Sequence, residues 1–337
     1  MESYKDGWLY SGSASERLWN KSAIGKKITN NQLLLTSSEV IFCHNHRHLD
    51  WPYENWFEEE ILKNPNLINE SIIVEALRVP GNKLMLTKLL EEDGLDSCDK
   101  DTWGLRWNSS NHPRNDKPEA EIRWFHSSDY IDREKLLSWA INVNQRGRQA
   151  EVLIVDNEQA VVTYKITAEY PKGELLPPSQ DVLDRMASFK RTRINNKQTF
   201  VHYEGEWPCE QIGIDYDKGR IIDDISEKLI LENKENLPPE VSVFSDLLVR
   251  GLHPRPGFKY GTLWRCYDQK IGNDHAPWLI VNPSNPPINW ENACLASRLA
   301  SGVNKIWLQP LKVNGIWNYL GIVRPPANSR WTNPIKK

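Results

Sequence analysis

Segments in the second half of this 337-residue chain repeat segments in its first half at a nearly constant spacing. Three pairs match: Leu86–Leu95 with Phe244–Leu252, Leu105–Asn108 with Trp264–Tyr267, and Val161–Ile166 with Ile316–Ile322. The offsets are roughly 155–160 residues, and such regularity is typical of an internal duplication. We therefore expect two copies of one structural unit, and the first matched pair predicts a helix end closed by Gly94 or Gly251.

Each half also predicts the same order of elements. Two strands, a helix and a hairpin follow one another at Trp103–Trp107, Ala120–Phe125, Asp132–Val143 and Glu151–Thr167, and again at Thr262–Tyr267, Pro277–Val281, Trp290–Ala300 and Lys305–Val323. This order predicts a mixed α/β (α+β) fold of two tandem repeats, each with an N-terminal α+β subdomain and a C-terminal β-β-α-β-β subdomain.

The front of each half begins with a capped helix. Thr36–Glu39 and Asp224–Glu227 both place a polar capping residue before apolar residues. The Pro- and Gly-rich stretch Tyr170–Pro178 predicts a linker. We therefore expect one repeat over residues 1–172 and the other over residues 173–337.

Charge and cysteine content exclude several classes of protein. The chain has 42 basic and 45 acidic residues, which argues against binding nucleic acid through bulk charge but allows a local basic cleft. Five scattered cysteines without a Cys-x-x-Cys pair argue against a disulfide framework. No apolar run is long enough to span a membrane, and the N-terminus does not resemble a secretory signal, so we expect a cytoplasmic protein without membrane partners.

Three polar residues of the second half fall at the ends of predicted elements. Tyr267 ends one strand, His275 begins its antiparallel neighbour, and Lys305 lies where the following helix leads into the next strand. These positions meet at one edge of a sheet. A phenol, an imidazole and an ammonium group together form an acid–base–cation set.

The motifs around these residues resemble one enzyme family. Gly-Phe-Lys-Tyr-Gly precedes Trp-Arg-Cys-Tyr267, His275 begins His-Ala-Pro-Trp-Leu-Ile, and Lys305 ends Ala-Ser-Arg-Leu-Ala-Ser-Gly-Val-Asn-Lys. This series is similar to the catalytic repeat of archaeal tRNA-splicing endonucleases of the fused-repeat, homodimeric type. The match runs from Phe244 to Arg324, inside a core motif region of the second repeat at residues 240–325, and it implies that the C-terminal subdomain is nuclease-like.

The resemblance implies a reaction that needs no metal or other cofactor. Precursor tRNA is cut at both exon–intron junctions within a bulge–helix–bulge, where the ribose 2′-OH attacks the adjacent phosphorus and leaves 2′,3′-cyclic phosphate and 5′-OH ends. Tyr267 is implied as the general base, His275 as the general acid and Lys305 as the group that stabilises charge on phosphate oxygens.

The same resemblance assigns roles in RNA binding and assembly. Arg298, on the helix before Lys305, corresponds to the arginine that clamps a bulged base, and we expect Arg324 to be its partner. Asp156 and Glu158 form an acidic hairpin turn that resembles the assembly loop of the family. Two active copies then require a homodimer.

The first half departs from the family's catalytic pattern. Asn108 aligns with Tyr267, Arg148 or Gln149 falls near the position of Lys305, and His275 has no convincing counterpart. We therefore expect the first repeat to be a degenerate, structural copy.

Other interpretations remain open at this stage. The chain fits a noncatalytic RNA-binding subunit of the same fold, and on a strand His44, His46 and His48 would share one face suited to zinc. Simple structural roles are also open: Arg298 and Arg324 as salt-bridge partners, Asp156 and Glu158 as turn formers, and Lys305 as a helix-end cation.

Overall fold

The computed structural model describes residues 1–90, 98–232, 236–272 and 274–332. The chain divides into two compact units. Unit 1 comprises Met1–Thr167, Ile288–Ala293 and Val323–Lys337, and unit 2 comprises Ala168–Pro287 and Cys294–Ile322.

Unit 1 contains a small antiparallel sheet and a larger mixed one. Its elements are β1 (Glu2–Tyr4), β2 (Gly7–Ser11), α1 (Ser15–Ser22), β3 (Lys26–Thr29), β4 (Gln32–Leu35), α2 (Ser37–Arg47), α3 (Trp56–Lys63), α4 (Leu67–Arg78), β5 (Lys83–Leu86), β6 (Gly104–Trp107), β7 (Ala120–His126), α5 (Arg133–Gln145), β8 (Gln149–Val155) and β9 (Val161–Glu169). The small sheet has the order β1-β2-β4-β3, and the larger runs β5-β6-β7-β8-β9. Because β7 and β8 are parallel, they need a crossover connection, which α5 provides.

Unit 2 has a similar order of elements. It contains α6 (Gln180–Ala187), β10 (Arg191–Asn195), β11 (Gln198–His202), β12 (Ile214–Asp215), β13 (Gly219–Asp223), α7 (Asp224–Leu231), α8 (Pro239–Val249), β14 (His253–Pro256), β15 (Trp264–Tyr267), β16 (Trp278–Ile280), α9 (Trp290–Gly302) from Cys294 onward, β17 (Ile306–Val313) and β18 (Ile316–Val323) up to Ile322. The small sheet has the order β10-β11-β13-β12, and the larger runs β14-β15-β16-β17-β18. The parallel pair is β16–β17, and α9 connects its strands.

The core of unit 2 buries the side chains on one face of β15 and leaves those on the other face outside the core. Trp264 and Cys266 are buried in a cluster that includes Phe244 of α8. Successive side chains of a strand point to opposite faces. Arg265 and Tyr267 therefore lie on the face away from this cluster, where both are half-buried.

The predicted mixed α/β composition is confirmed, and individual strands and helices lie close to the positions that the sequence predicts for them. The helix start at Thr36 is also confirmed, because its side chain accepts from the Glu39 N–H while Glu39 bonds back to the Thr36 N–H. Within the described ranges, no helix combines the length and the apolar character needed to cross a bilayer.

The prediction that Leu86–Leu95 ends a helix is wrong for its described part. Leu86 ends β5, whose antiparallel pairing with β6 buries Leu84 and Leu86. The next residues, Thr87–Leu89, form a single 3₁₀ turn and not the last turns of an α-helix. Gly94 lies outside the described residues. The helix that precedes β5, as α8 precedes β14, is α4, and it is followed by Gly81 at φ 98°, as α8 is followed by Gly251 at φ 77°.

The three histidines that the sequence offers as zinc ligands lie on a helix or at its end and not on a strand. His44 and His46 belong to α2, and His48 caps it in a left-handed conformation. Their partners differ: His44 Nδ1 lies 2.9 Å from the Leu49 carbonyl, and His46 Nε2 lies 2.6 Å from Glu75 Oε1. The shared face that a strand would give these three rings is therefore not formed.

Candidate functional site

Three neighbouring strands of unit 2 bring candidate residues to one edge of the sheet. Tyr267 ends β15, and its neighbour Cys266 pairs with Trp278, the first residue of β16. Trp278 in turn pairs with Ile306, the first residue of β17. Tyr267, the segment before β16 and Lys305 therefore lie side by side at this edge, which we call the catalytic edge.

His275 lies in the loop that leads to the catalytic edge. The sequence predicts that it begins the strand, whereas β16 begins three residues later, at Trp278. Gly272 lies in this loop at φ 106°, a conformation that favours glycine. The His275 N–H donates to Asp274 Oδ1 at 2.6 Å, and the residue is exposed to solvent.

Lys305 is held at the catalytic edge by both its main chain and its side chain. Its N–H donates to the Ala300 carbonyl at 3.0 Å, which ties it to the end of α9. Its Nζ donates to the Ala276 carbonyl, next to His275. Burial lowers the pKa of the Lys305 ammonium below its ordinary value, and the positive charge of Arg265 lowers it further, while Asp274 opposes this.

A row of polar side chains runs from Tyr267 along β14 and β15. His253 lies directly opposite Tyr267, and Arg255 lies directly opposite Arg265. Opposed residues of an antiparallel pair share a face, so these four side chains form one surface, which we call the β14–β15 polar face. Sequence analysis does not predict it because His-Pro-Arg-Pro does not resemble a strand.

His253 is buried without compensation on this face. It is 1% exposed, and neither ring nitrogen has a hydrogen-bond partner among the described residues. Burial lowers its pKa from 6.5 to about 3, and the positive charges of Arg255 and Arg220 contribute in the same direction. The folded protein therefore holds this imidazole neutral.

We expect acid to destabilise the wild-type protein more than a His253→Gln variant. Below pH 6.5 the unfolded chain gains a proton on His253 that the folded chain does not bind, so stability present above that pH is lost as the pH falls towards 3. At pH 5 the difference amounts to about 2 kcal/mol. Urea unfolding of both proteins at pH 7 and pH 5 measures it, and equal losses would contradict a neutral buried imidazole.

The two arginines predicted to clamp a base lie in different units. Arg298 is an exposed residue of α9 within unit 2. Arg324 follows β18, is half-buried and belongs to unit 1. Their pairing therefore stays a prediction.

The acidic turn between β8 and β9 is organised by Asp156. Its Oδ1 accepts from the N–H groups of Glu158 at 2.9 Å and Ala160 at 2.8 Å, whereas the Glu158 side chain is exposed. Asp156 therefore serves as a turn former, and a role of the two carboxylates in assembly stays a prediction.

Strand pairing corrects the alignment of the two halves at the catalytic edge. Trp107 pairs with the first residue of β5 as Tyr267 pairs with the first residue of β14, so Trp107 and not Asn108 occupies the tyrosine position. Gln149 pairs with Ala120 as Ile306 pairs with Trp278, which gives Arg148 the position of Lys305. Arg148 forms an ion pair with the buried Glu121 at 3.0 Å.

Comparison with known proteins identifies a segment that contains four of the candidate residues. Residues 238–312 match the family model of the tRNA intron endonuclease, catalytic C-terminal domain. Tyr267, His275, Arg298 and Lys305 fall inside this segment, whereas Arg324 lies beyond it.

A curated relative agrees with the family match. A tRNA-splicing endonuclease of Thermoplasma volcanium is 34% identical over 113 residues, which is 34% of this chain and 38% of the relative. The chain thus matches well under half of that protein's length. The predicted resemblance to tRNA-splicing endonucleases is confirmed for this part of the chain.

Proposed function

We propose that this protein is a tRNA-splicing endonuclease that cuts precursor tRNA at both exon–intron junctions within a bulge–helix–bulge. The observation that carries the proposal is the strand register that brings Tyr267, the loop of His275 and Lys305 to one edge, inside the segment similar to the catalytic domain. The exposed His275 and the half-buried Lys305, which directly precedes β17, lie at the edge of a sheet, where a long RNA strand can approach them.

The three side chains divide the reaction between them. Tyr267 accepts the proton of the ribose 2′-OH, whose oxygen attacks the adjacent phosphorus. As the bond from phosphorus to the 5′ oxygen breaks, His275 donates a proton to that oxygen. Lys305 stabilises the charge on the phosphoryl oxygens, and the products are a 2′,3′-cyclic phosphate and a 5′-OH. Because nucleophile and target belong to one nucleotide, no metal is required to bring them together.

Two arginines and the association of two chains account for the recognition of the substrate. Arg298, exposed on α9, and Arg324 hold a bulged base between their guanidinium planes. Residues 1–172 act as a degenerate copy, because Trp107 and the ion-paired Arg148 occupy the positions of Tyr267 and Lys305. Two chains form a homodimer with one active copy each, and the turn of Asp156 and Glu158 contributes to assembly.

Cleavage of a bulge–helix–bulge RNA in EDTA tests this function. We expect the wild-type protein to cut both junctions as fast in EDTA as in magnesium, and to leave ends that phosphatase removes only after acid opens the cyclic phosphate. Activity that disappears in EDTA, or 3′-OH ends, would contradict the mechanism. Tight binding of the RNA without cleavage would indicate a noncatalytic subunit instead.

A further inference from the structure

A cationic pocket adjoins the catalytic edge on the β14–β15 polar face. The pocket has a volume of about 610 Å³ and lies between the small sheet of unit 2 and strands β14–β15. Its positive groups are Arg220, Arg255, Lys259 and Arg265, and Glu210 and Asp215 are its negative ones. The positive charges therefore exceed the negative charges by two.

Several buried polar atoms of this pocket lack hydrogen-bond partners among the described residues. Among the described residues, Arg220 Nε, Arg265 Nε and both ring nitrogens of His253 are buried without a hydrogen bond. Buried polar groups in folded proteins are nearly always paired. Within the part of the chain that the structure describes, the hydrogen bonds of Arg255 go to the Gln211 and Glu210 carbonyls and are long, at 3.4 and 3.5 Å. Guanidinium groups with free donors favour a ligand rich in acceptor oxygens.

The arrangement of the arginines also needs a compensating anion. Arg255 and Arg265 are direct cross-strand partners, and like charges in such positions destabilise a sheet. Arg220 forms an ion pair with Asp215 at 2.8 Å, but that carboxylate is largely exposed. An anion between the three guanidinium groups would remove this repulsion.

The fold itself does not require these charges. In unit 1 the equivalent strands β5 and β6 place Lys83 opposite Trp107 and Met85 opposite Leu105. The pair equivalent to Arg255 and Arg265 is thus apolar there. The pair of arginines occurs in unit 2, which also contains Tyr267, His275 and Lys305.

We propose that this pocket binds a backbone phosphate of the RNA strand next to the cleaved bond. Arg265 and Tyr267 are two residues apart on β15, about 7 Å along the strand. Arg265 is also close enough to Lys305 to lower its pKa. A strand with its scissile phosphate at Tyr267 therefore runs across Arg265 and into the pocket. The pocket fixes the position of the strand, and the inference rests on the proposed function.

Binding of an uncleavable RNA tests the pocket separately from catalysis. The probe is a bulge–helix–bulge RNA with 2′-deoxyribose at both cleavage sites. We expect Arg255→Gln to weaken its binding about tenfold and to reduce the slope of log K against log salt by about one. Lys259→Gln, at an exposed position that lines the pocket, should change both quantities in the same direction. Arg185→Gln, on the exposed side of α6, is the charge-matched control and should leave both unchanged.

The outcomes distinguish this inference from the proposed function. If the wild-type protein binds the RNA but never cuts the normal substrate, the proposed function fails, yet weaker binding by Arg255→Gln still supports a phosphate pocket. Unchanged binding and salt slope in both pocket variants would overturn the inference even if cleavage is normal. An equal loss of RNA binding in Arg185→Gln would show that the effect comes from the total charge of the protein, and it would overturn the inference as well. Binding of inorganic phosphate by the wild type, without any effect of the variants on RNA, would indicate a free-anion site and overturn the RNA assignment.

Discussion

Replacement of His275 by alanine is expected to slow RNA cleavage by about 100- to 10,000-fold, which is the usual contribution of a positioned general acid. The imidazole is exposed and lies in a loop, so its removal leaves the core intact. Without it the 5′ oxygen must depart as an unprotonated alkoxide. Single-turnover cleavage of a bulge–helix–bulge RNA in EDTA measures the loss.

A modified substrate shows whether the lost function is proton donation. With sulfur in place of the 5′ bridging oxygen, the leaving group is a thiolate, which needs no proton because thiols have much lower pKa values than alcohols. His275→Ala should then cut within about tenfold of the wild type. His202→Ala, which removes an exposed imidazole from β11, is the control and should cut both substrates normally. Equal loss on both substrates would assign His275 a positioning role instead.

The residues of the catalytic edge can be predicted from the sequence because local sequence patterns determine their positions. Tyr267 ends an alternating strand, and Lys305 follows a helix of regular apolar spacing, so both positions depend on patterns within a few residues. The motifs add His275, although the strand it was expected to begin starts at Trp278. For Tyr267 and Lys305 the local pattern and the tertiary structure agree.

The β14–β15 polar face and the pocket are not accessible in the same way. The two prolines of β14 argue against a strand in sequence-based prediction. Arg255 and Arg265 lie opposite each other only because of the register between β14 and β15, which cannot be derived from either segment by itself. The same limit explains the misplaced Asn108, since pairing with β5 and not residue similarity places Trp107 at the tyrosine position. Which residues from distant parts of the sequence lie side by side can be determined only once the strand pairing is known.

A buried ion pair in unit 1 is a second feature that sequence does not reveal. Arg106 and Glu151 are 45 residues apart, and Arg106 Nε and Nη2 donate to the two Glu151 oxygens at 2.8 Å each. Both residues are almost fully buried. Trp331 Nε1 donates to the same carboxylate at 3.3 Å, and its ring lies 5.0 Å from the guanidinium. The pair thus joins β6, β8 and the C-terminal segment of unit 1.

Glu151→Leu is expected to lower the free energy of unfolding by about 3 kcal/mol, because it removes the nearer counter-charge of the buried Arg106 and leaves this cation with the more distant Glu119 carboxylate at 3.8 Å. Arg106→Met should cost a similar amount by leaving Glu151 unpaired. The double variant Arg106→Met/Glu151→Leu should recover most of the loss, since replacement of a whole buried pair by apolar side chains is often neutral. Urea unfolding of the four proteins completes the cycle. A double variant no more stable than either single variant would show that the contacts to Trp331 and Asn108, and not the ion pair, supply the stability.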